Sequence, residues 1–392
     1  MIKAASLFTF EADEDLACKE LKEQLSEKLT LKKNTVGIVQ CNHEFIEAGV
    51  IKRFYEETGI PLCGGTTIAT ATSSEASSLI LSMLVLTSDD VDFTVSHTDG
   101  FAGDYQGAIK RSLGAAFDNS QKKPGLAMVF LPLIESISGD YFVDAIEAAC
   151  GKMPIFGTTL LDDSFPDFSQ CLAIYNDKAL SYEMSYVLFC GEVTPRFLVA
   201  AVPPKIDITE SGARITKAKG NIVYELNNMT AGEYMENIGL LAKGTAFKDA
   251  LNLLLPFLVT IDGADDTRPF VRSLLHVLAD GSAIFTGEMY EGAEVAFGSN
   301  NSDDIMAATT EAVTLAAGEK DINAALIFSC ISRQLVIGFD SMKELKQIQN
   351  ILPESLPYIA SFSGGEFSPT SVDSENIAQN RYHNYSLIIC LL

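Results

Sequence analysis

Small and polar residues follow the apolar stretches of this sequence where strands are expected to end. In open α/β sheets ligands bind at the carboxyl ends of strands, because the loops converge there. Glycine lets backbone N–H groups approach a ligand closely, and hydroxyl groups both donate and accept hydrogen bonds. The candidate ligand-binding residues of this kind are Cys63, Gly64, Gly65, Thr66, Thr67, Thr158, Ser329, Cys330, Ser363, Gly364 and Gly365.

Two charged residues near the strand ends of the third copy, Arg333 and Glu366, suggest which charged groups the ligand carries. The Arg333 guanidinium can bind a carboxylate through two parallel hydrogen bonds, and Glu366 can receive an ammonium group. His383 and Asn384 lie just before the last expected strand, beside the insert that follows Glu366. The sequence therefore predicts a site for a small polar or zwitterionic molecule.

The glycine pairs have a second explanation. Gly64 with Gly65, and Gly364 with Gly365, are also what turns with positive φ require, without any ligand. Since a repeated fold repeats its turns, recurrence does not decide between these explanations. The sequence has no G-x-x-x-x-G-K-[ST] loop and no G-x-G-x-x-G that opens a helix after a strand, so a nucleotide site is disfavoured.

Cysteine chemistry is the alternative function. Cys63 and Cys330 fall at strand ends, and a nucleophilic thiol needs a base such as His383 within reach. That arrangement would make the protein a thiol-dependent acyl transferase or hydrolase. Because cysteines more often pack in cores as small apolar groups, we expect no enzymatic activity.

Metal and cofactor sites are not expected. The four histidines stand in no H-E-x-x-H motif and no Cys/His cluster with ligand spacing. The acidic turn at residues 262–266 lacks the twelve-residue spacing of a calcium loop, so we expect a solvated hairpin tip. For Arg272, in the apolar strand after it, a surface position is the default expectation, and a side chain that points into the domain is the alternative.

The composition excludes several classes of partner. The chain has 392 residues, 47% of them hydrophobic, and a formal net charge of −24. So negative a charge repels phosphate backbones and anionic lipid, so we expect neither nucleic acid nor membrane as a partner. The sequence opens with no secretory signal, and its eight cysteines form no C-x-x-C pair, which predicts reduced thiols and a cytoplasmic location.

One order of elements recurs three times: strand, helix, strand, helix, strand, insert, strand. The second strands of the three copies are residues 36–40, 126–131 and 324–330. Alternating strands and helices favour parallel pairing through right-handed crossovers. We therefore predict an α/β fold of repeated strand–helix modules with mostly parallel sheets, to which antiparallel hairpins are added.

After residue 196 the alternation of strands and helices gives way to a predicted hairpin, which suggests that the chain has two domains. Residues 213–218 and 222–226 predict a hairpin across Lys219, Gly220 and Asn221. A short helix then begins near Thr230, a plausible N-cap. We place the boundary near Asn228, which gives residues 1–228 two modules plus the hairpin and residues 229–392 the third module.

Taken together, the motifs resemble the FIST (F-box and intracellular signal transduction) sensory proteins over nearly the whole chain. The residues that carry the resemblance are 37–69 with its Cys-Gly-Gly-Thr-Thr turn, the hairpin 216–226, the runs 270–273 and 284–288, the strand 326–330 and the closing His383-Asn384. The resemblance implies an N-terminal FIST domain over 1–228 and a C-terminal FIST domain over 229–392.

The resemblance also implies a function. FIST proteins are bacterial or archaeal intracellular sensors of signal transduction, proposed to bind small ligands such as amino acids. Relatives carry histidine kinase, cyclic-dinucleotide or chemotaxis output domains. We expect this chain to bind an amino acid or a similar small polar metabolite and to signal to a separate output protein of such a type.

Overall fold

The computed structural model describes residues 1–101, 103–134, 137–164, 168, 170–202, 205, 212–242, 255–261, 269–338 and 340–392. The acidic turn at 262–266 lies outside these residues. Three modules of the predicted order follow one another, and a barrel is inserted within the third.

The first module alternates strands and helices as the hydrophobic periodicity predicts. Its helix α1 begins after Asp13, whose side chain accepts hydrogen bonds from the N–H groups of Asp15 and Leu16. The module comprises β1 (Lys3–Thr9), α1 (Glu14–Lys28), β2 (Asn34–Cys41), α2 (His43–Glu47), α3 (Val50–Thr58), β3 (Leu62–Thr66), β4 (Thr70–Ala71), β5 (Ala76–Ser77) and β6 (Leu81–Ser88).

The second module repeats this order, with a π-helical turn at Lys110–Gly114 between two short helices. It comprises β7 (Asp92–His97), α4 (Tyr105–Ile109), α5 (Ala115–Asp118), β8 (Pro124–Leu131), α6 (Gly139–Cys150), β9 (Ile155–Thr159), β10 (Ala173–Tyr175), β11 (Lys178–Leu180) and β12 (Ser185–Cys190).

The third module begins with β13 (Arg196–Ala201), and the barrel is inserted between this strand and the first helix of the module. The inserted elements are β14 (Gly212–Lys219), β15 (Ile222–Leu226), β16 (Met229–Thr230), α7 (Ala231–Asn237), β17 (Pro256–Thr260), β18 (Phe270–Val277), β19 (Ala283–Phe285) and β20 (Glu294–Phe297). The module continues with α8 (Ser302–Gly318), β21 (Ala325–Cys330), α9 (Ile331–Ile337), α10 (Lys343–Ile351), β22 (Tyr358–Ser363), β23 (Gly365–Val372), β24 (Ala378–His383) and β25 (Ser386–Leu391).

Each module builds its own six-stranded sheet and completes that sheet with the insert hairpin of another module. Sheet 1 has the order β1-β6-β2-β3-β10-β11, sheet 2 the order β7-β12-β8-β9-β23-β24, and sheet 3 the order β13-β25-β21-β22-β4-β5. The hairpins are therefore exchanged cyclically: β4-β5 extends sheet 3, β10-β11 extends sheet 1, and β23-β24 extends sheet 2.

The predicted repetition is confirmed, but the prediction of mostly parallel sheets is wrong. Each of these sheets contains one parallel pair, β2–β3, β8–β9 or β21–β22, and its other pairs are antiparallel. Strand–helix–strand connections do align β1, β2 and β3. The closing strand β6, however, lies between β1 and β2 and runs opposite to both, as β12 and β25 do in the other modules.

The predicted hairpin at residues 213–226 is present and closes the barrel. β14 pairs with β15 on one side and with β20 on the other, and the order β14-β20-β17-β18-β19-β15 returns to β14. Strands from both sides of residue 228 thus share this barrel and also sheets 2 and 3. The division into domains at that residue stays a prediction.

The inner faces of the three sheets meet in one core. Phe130 and Phe156 of sheet 2 and Phe328 of sheet 3 are fully buried in this core. The Phe328 ring centroid lies 5.4 Å from that of Phe156 and 6.2 Å from that of Phe130. Burying such large rings stabilises the assembly of modules rather than any one of them.

Strand register explains the glycines near the predicted turns. Gly64 lies inside β3 opposite Val39, and Gly157 lies at the corresponding place in β9, opposite Val129. A Cβ atom on either glycine would lie 1.9 Å from the carbonyl oxygen of that valine. The glycines are needed because two strands approach closely. Gly364 and Gly365 follow β22 and do not correspond to Gly64 and Gly65.

The Gly64→Ala substitution should therefore destabilise the protein. The new methyl group collides with backbone, which cannot rotate away, so we expect the free energy of unfolding to fall by about 2 kcal/mol or more. Urea denaturation of both proteins measures the change. Gly100→Ala is the control, because nothing lies within 4 Å of the added Cβ atom there. Equal stabilities of the two variants would contradict the close approach of β2 and β3.

Candidate ligand-binding site

Glu366 lies at the junction of sheets 2 and 3, completely buried. The Ser363 hydroxyl donates to one of its carboxylate oxygens, and the Ser386 hydroxyl donates to the other at 2.7 Å. Burial raises the pKa of Glu366 to about 8, although both hydroxyls and the charge of Arg333 oppose that rise. Its oxygens are thus satisfied within the protein, and the predicted ammonium partner has no direct support from this geometry.

Arg333 is also completely buried, and its donors are directed at protein acceptors. Its Nη2 lies 2.7 Å from Glu344 Oε1 and 2.8 Å from Thr309 Oγ1. Its Nη1 donates to the carbonyl oxygens of Ala200 and Tyr385. Ser329 donates to the second Glu344 oxygen at 2.6 Å. This arrangement ties α9 to α8, α10 and two strands, so the polar groups of Arg333 and Ser329 are bonded within the protein. Their role as ligand-binding residues stays a prediction.

The predicted threonines bond to protein groups as well. Thr66 Oγ1 accepts the N–H of Leu172 at 3.0 Å, and Thr67 donates to the Phe362 carbonyl at 2.9 Å. Thr158 donates to the carbonyl of Thr159 at 2.8 Å. The first two bonds each join an insert to the sheet that it extends, whereas the third lies within β9.

The cysteines proposed as nucleophiles are buried and unpaired. Cys63 Sγ lies 3.0 Å from Ser185 Oγ, and burial raises the pKa of its thiol to about 12. Burial also raises the pKa of the Cys330 thiol, and the charge of Glu366 adds to that rise. The His383 ring bonds through Nε2 to the Ser368 carbonyl at 3.0 Å. Burial thus disfavours the thiolate form of both cysteines.

A pocket of about 380 Å³ lies between β13, the barrel strands β17 and β18, and the β23-β24 hairpin. Only His383 and Asn384 of the predicted site residues line it. The lining residues are Phe197, Val199, Ala201, Leu258, Pro269, Phe270, Val271, Arg272, Pro369, Thr370, Arg381, Tyr382, His383 and Asn384. Apolar side chains from three parts of the chain form most of the walls, as in small-molecule sites.

Two guanidinium groups lie over one aromatic ring of this pocket. The Arg272 guanidinium carbon is 4.5 Å from the Phe270 ring centroid, and that of Arg381 is 5.4 Å from it. Cations are attracted to the face of an aromatic ring, which helps to hold both groups at the pocket wall. Two arginine side chains thus line this pocket in a protein that is strongly acidic overall.

Arg272 is 2% exposed, so the expectation of a surface arginine is wrong. Its Nη2 lies 2.9 Å from each carboxylate oxygen of Asp140, in the first turn of α6. Asp140 also accepts the N–H of Glu288 at 2.7 Å. This ion pair, in which one guanidinium nitrogen contacts both carboxylate oxygens, fixes the barrel against the second module. It also sets the position of β18 in the pocket wall.

Asn384 has an unsatisfied donor. Its Oδ1 accepts the Thr286 hydroxyl at 2.8 Å, whereas its Nδ2 is buried and has no hydrogen-bond partner among the described residues. The side chain is 3% exposed and lines the pocket. A buried donor without an acceptor costs about 1–3 kcal/mol.

His383 is neutral near pH 7. Burial lowers the pKa of its imidazole to about 4, the nearby charges of Arg381 and Arg272 lower it too, and the Ser368 carbonyl partly offsets them. With its Nε2 proton directed at Ser368, the other ring nitrogen is an acceptor.

Sequence reasoning reached two pocket residues because they stand together before the last strand. It missed Phe197, Val199, Leu258 and Phe270, whose apolar character is also that of core residues. The helpful signal was the run Arg381-Tyr382-His383-Asn384, which places four polar groups just before the last strand. Within the described part of the chain, no cluster of three or more His, Cys, Asp or Glu side chains could hold a metal ion.

Comparison with known families identifies the class. The profile of the FIST N domain matches residues 35–229, and that of the FIST C domain matches residues 233–369. The chain belongs to the FIST family, as its motifs predicted. FIST domains are associated with sensing in signal transduction. No helix among the described residues is long and apolar enough to cross a membrane.

Other comparisons add little. No curated protein matches the chain. A solved structure, PurLQS from Thermotoga maritima, aligns with 100% of this chain and 71% of its own at 10% identity, with a TM-score of 0.20. A likeness that weak supports no argument about fold or function.

The raised pKa of Glu366 predicts how stability depends on pH. The folded protein binds this proton more tightly than the unfolded chain, so the free energy of unfolding falls as the pH rises from about 4.5 to about 8. The slope contributed is at most about 1.4 kcal/mol per pH unit. Glu366→Gln should remove this contribution, and urea denaturation at several pH values measures it.

Glu27→Gln, on the exposed face of α1, is the control and should keep the wild-type slope. A wild-type slope in Glu366→Gln would show that the Glu366 carboxyl titrates as it does in the unfolded chain.

Proposed function

We propose that the protein is a small-ligand sensor of signal transduction and that its ligand binds in the pocket between β13, the barrel and the β23-β24 hairpin. The pocket itself carries the proposal, because strands of sheet 3, the barrel and the β23-β24 hairpin form its walls, and its lining combines many apolar side chains with a few polar groups. A volume of about 380 Å³ is within the range of small-molecule sites.

The pocket walls suggest how binding becomes a signal. Val199 belongs to sheet 3, Val271 to the barrel and His383 to the hairpin that extends sheet 2. A ligand that contacts sheet 3, the barrel and the hairpin stabilises the relative position of these three parts to which it binds most tightly. Binding would therefore shift the position of the barrel relative to the three sheets, and a partner that contacts both could detect this shift.

The ligand proposed is an amino acid or a similar small polar metabolite. The output proposed is a separate protein of the histidine kinase, cyclic-dinucleotide or chemotaxis type. Family membership supports both proposals, because FIST domains act in sensing.

A pocket-filling substitution tests the location. A metabolite that binds should raise the melting temperature, since occupancy at roughly five times Kd stabilises the fold by about 1 kcal/mol. Ala201→Trp puts an indole into the pocket mouth and should abolish the rise. Ala179→Trp, an equally exposed position on β11, should retain it. A rise that survives in Ala201→Trp would place the ligand elsewhere, and no rise with a broad metabolite panel would contradict the sensor proposal.

We also propose that the protein is not a thiol-dependent enzyme. The raised pKa values of Cys63 and Cys330 support this, since a thiolate is the reactive form. Neither cysteine should react with iodoacetamide within minutes at neutral pH, whereas both should react in guanidinium chloride. Peptide mass spectrometry measures the labelling. Rapid, selective labelling of one of them in the native protein would support the acyl transferase or hydrolase alternative.

A further inference from the structure

We infer that the pocket selects its ligand by an apolar body, and that the charged groups of the ligand stay in the water at the pocket mouth. This inference rests on the proposed function and narrows the ligand to a metabolite with a hydrocarbon side chain. Its basis is a contrast within the described lining: the polar groups are bonded inside the protein, whereas several apolar side chains are only partly covered.

The Arg272 guanidinium is fully used by the protein. A guanidinium has five N–H donors and no acceptor. Its Nε donates to the Glu288 carbonyl at 3.4 Å, and its Nη2 lies 2.9 Å from each Asp140 oxygen. Its Nη1 donates to the carbonyls of Val271 and Tyr382, at 3.2 Å each. Arg272 therefore has no donor left for a ligand, and Asp140 compensates its charge.

The other polar side chains of the lining have partners as well. The Thr370 hydroxyl and His383 Nε2 bond to carbonyls of their own hairpin, at 3.1 Å and 3.0 Å. Arg381 lies over the Phe270 ring and has a further interaction within the protein. The Asn384 Nδ2 atom is closed off from the pocket by burial, so a ligand does not reach this donor.

The apolar side chains, by contrast, are open to the pocket. Phe197, Val199 and Ala201 lie on one side of β13, the outer strand of sheet 3, because side chains alternate along a strand. Phe197, Val199 and the facing Leu258 of the barrel are half-buried, and Ala201 is exposed. Since burial of apolar surface is favourable in proportion to its area, a hydrocarbon body placed between these walls gains affinity.

The apolar wall continues into the protein core. The ring centroid of Phe197 lies 6.0 Å from that of the fully buried Phe156 of sheet 2. A ligand body that packs on Phe197 therefore contacts the side chain by which β13 packs on sheet 2.

The charged end of the ligand is better left in water. A carboxylate or ammonium group inserted between these walls would lose its hydration and find few free hydrogen-bonding groups in return. An amino acid that binds here thus inserts its side chain and leaves its charged groups at the mouth.

A series of amino acids tests the contribution of the apolar body. Norvaline, norleucine and 2-aminoheptanoate share one charged end, and each side chain is one methylene longer than the last. Isothermal titration of the full chain should show affinity rising about fourfold for each added methylene, until the pocket is filled. The heat-capacity change of binding should be negative. Glutamine, which has a polar side chain of similar length to that of norleucine, should bind about tenfold more weakly or worse.

A second series tests the charged end. Norleucine, hexanoate and pentylamine carry the same hydrocarbon chain on a zwitterion, an anion and a cation. Their dissociation constants should agree within about fivefold, because a solvent-exposed ion pair contributes at most about that factor.

Two wall variants test the location of the apolar body. Leu258→Ala removes wall atoms, so it should weaken norleucine and shift the preferred side chain to a longer member of the series. Partial unfolding does not produce such a shift. Val199→Thr places a hydroxyl of equal size in the wall and should weaken norleucine about threefold or more. Val95→Thr, at a half-buried position of β7 outside the pocket, is the control and should do neither.

The outcomes separate the inference from the proposed function. Glutamine that binds as tightly as norleucine, charged ends that differ tenfold or more in affinity, or a preferred length unchanged in Leu258→Ala would overturn the inference and leave the sensor proposal standing. Stabilisation by polar metabolites alone would do the same. Binding of no probe, together with no stabilisation by the broad metabolite panel, would overturn both.

Discussion

The exchange of insert hairpins between modules is the constraint on which the rest of the structure depends. Main-chain hydrogen bonds carry it, since β23 pairs with β9, β10 with β3, and β4 with β22. Each sheet is complete only when another module supplies its outer strands. Unpaired strand edges are costly and prone to aggregate, so the exchange protects one edge of every sheet while it joins the modules.

This constraint creates the candidate site. The β23-β24 hairpin leaves the third module to extend sheet 2, and so comes to lie beside the barrel that is inserted after β13. The buried Arg272–Asp140 pair then fixes the barrel against α6. Removal of one partner of such a pair leaves a buried charge uncompensated, typically at a cost of about 3–5 kcal/mol, so the pocket geometry depends on both residues.

The modules could be predicted from sequence because each strand and helix has its own hydrophobic period. The strand order could not, because the position of β6 between β1 and β2 depends on contacts 50 or more residues apart, such as that of Asn34 with Ser88. Arg333 and Glu366 are predicted as ligand groups for a different reason: the sequence does not show the partner of a charged residue near a strand end. That partner can be a metabolite or another residue of the chain, as Glu344 is for Arg333.

The pocket was still harder to predict, since Val199, Arg272 and Asn384 are far apart in the chain and only the inserted barrel brings them together. Their types gave partial information: a short polar run before the final strand marked His383 and Asn384. The Thr286 hydroxyl donates to Asn384 Oδ1 and leaves the Asn384 Nδ2 without a partner. No sequence pattern reveals that hydrogen bond.

The central claim is that a ligand binds between the barrel and the β23-β24 hairpin. Hydrogen–deuterium exchange of the full chain, with and without a metabolite that stabilises it, tests this most directly. The account predicts that added protection is concentrated in peptides from β13, β18 and β24, which form the pocket walls. Protection confined to the strand ends at Gly64–Thr67 and Ser329–Arg333, with those three strands unchanged, would contradict it.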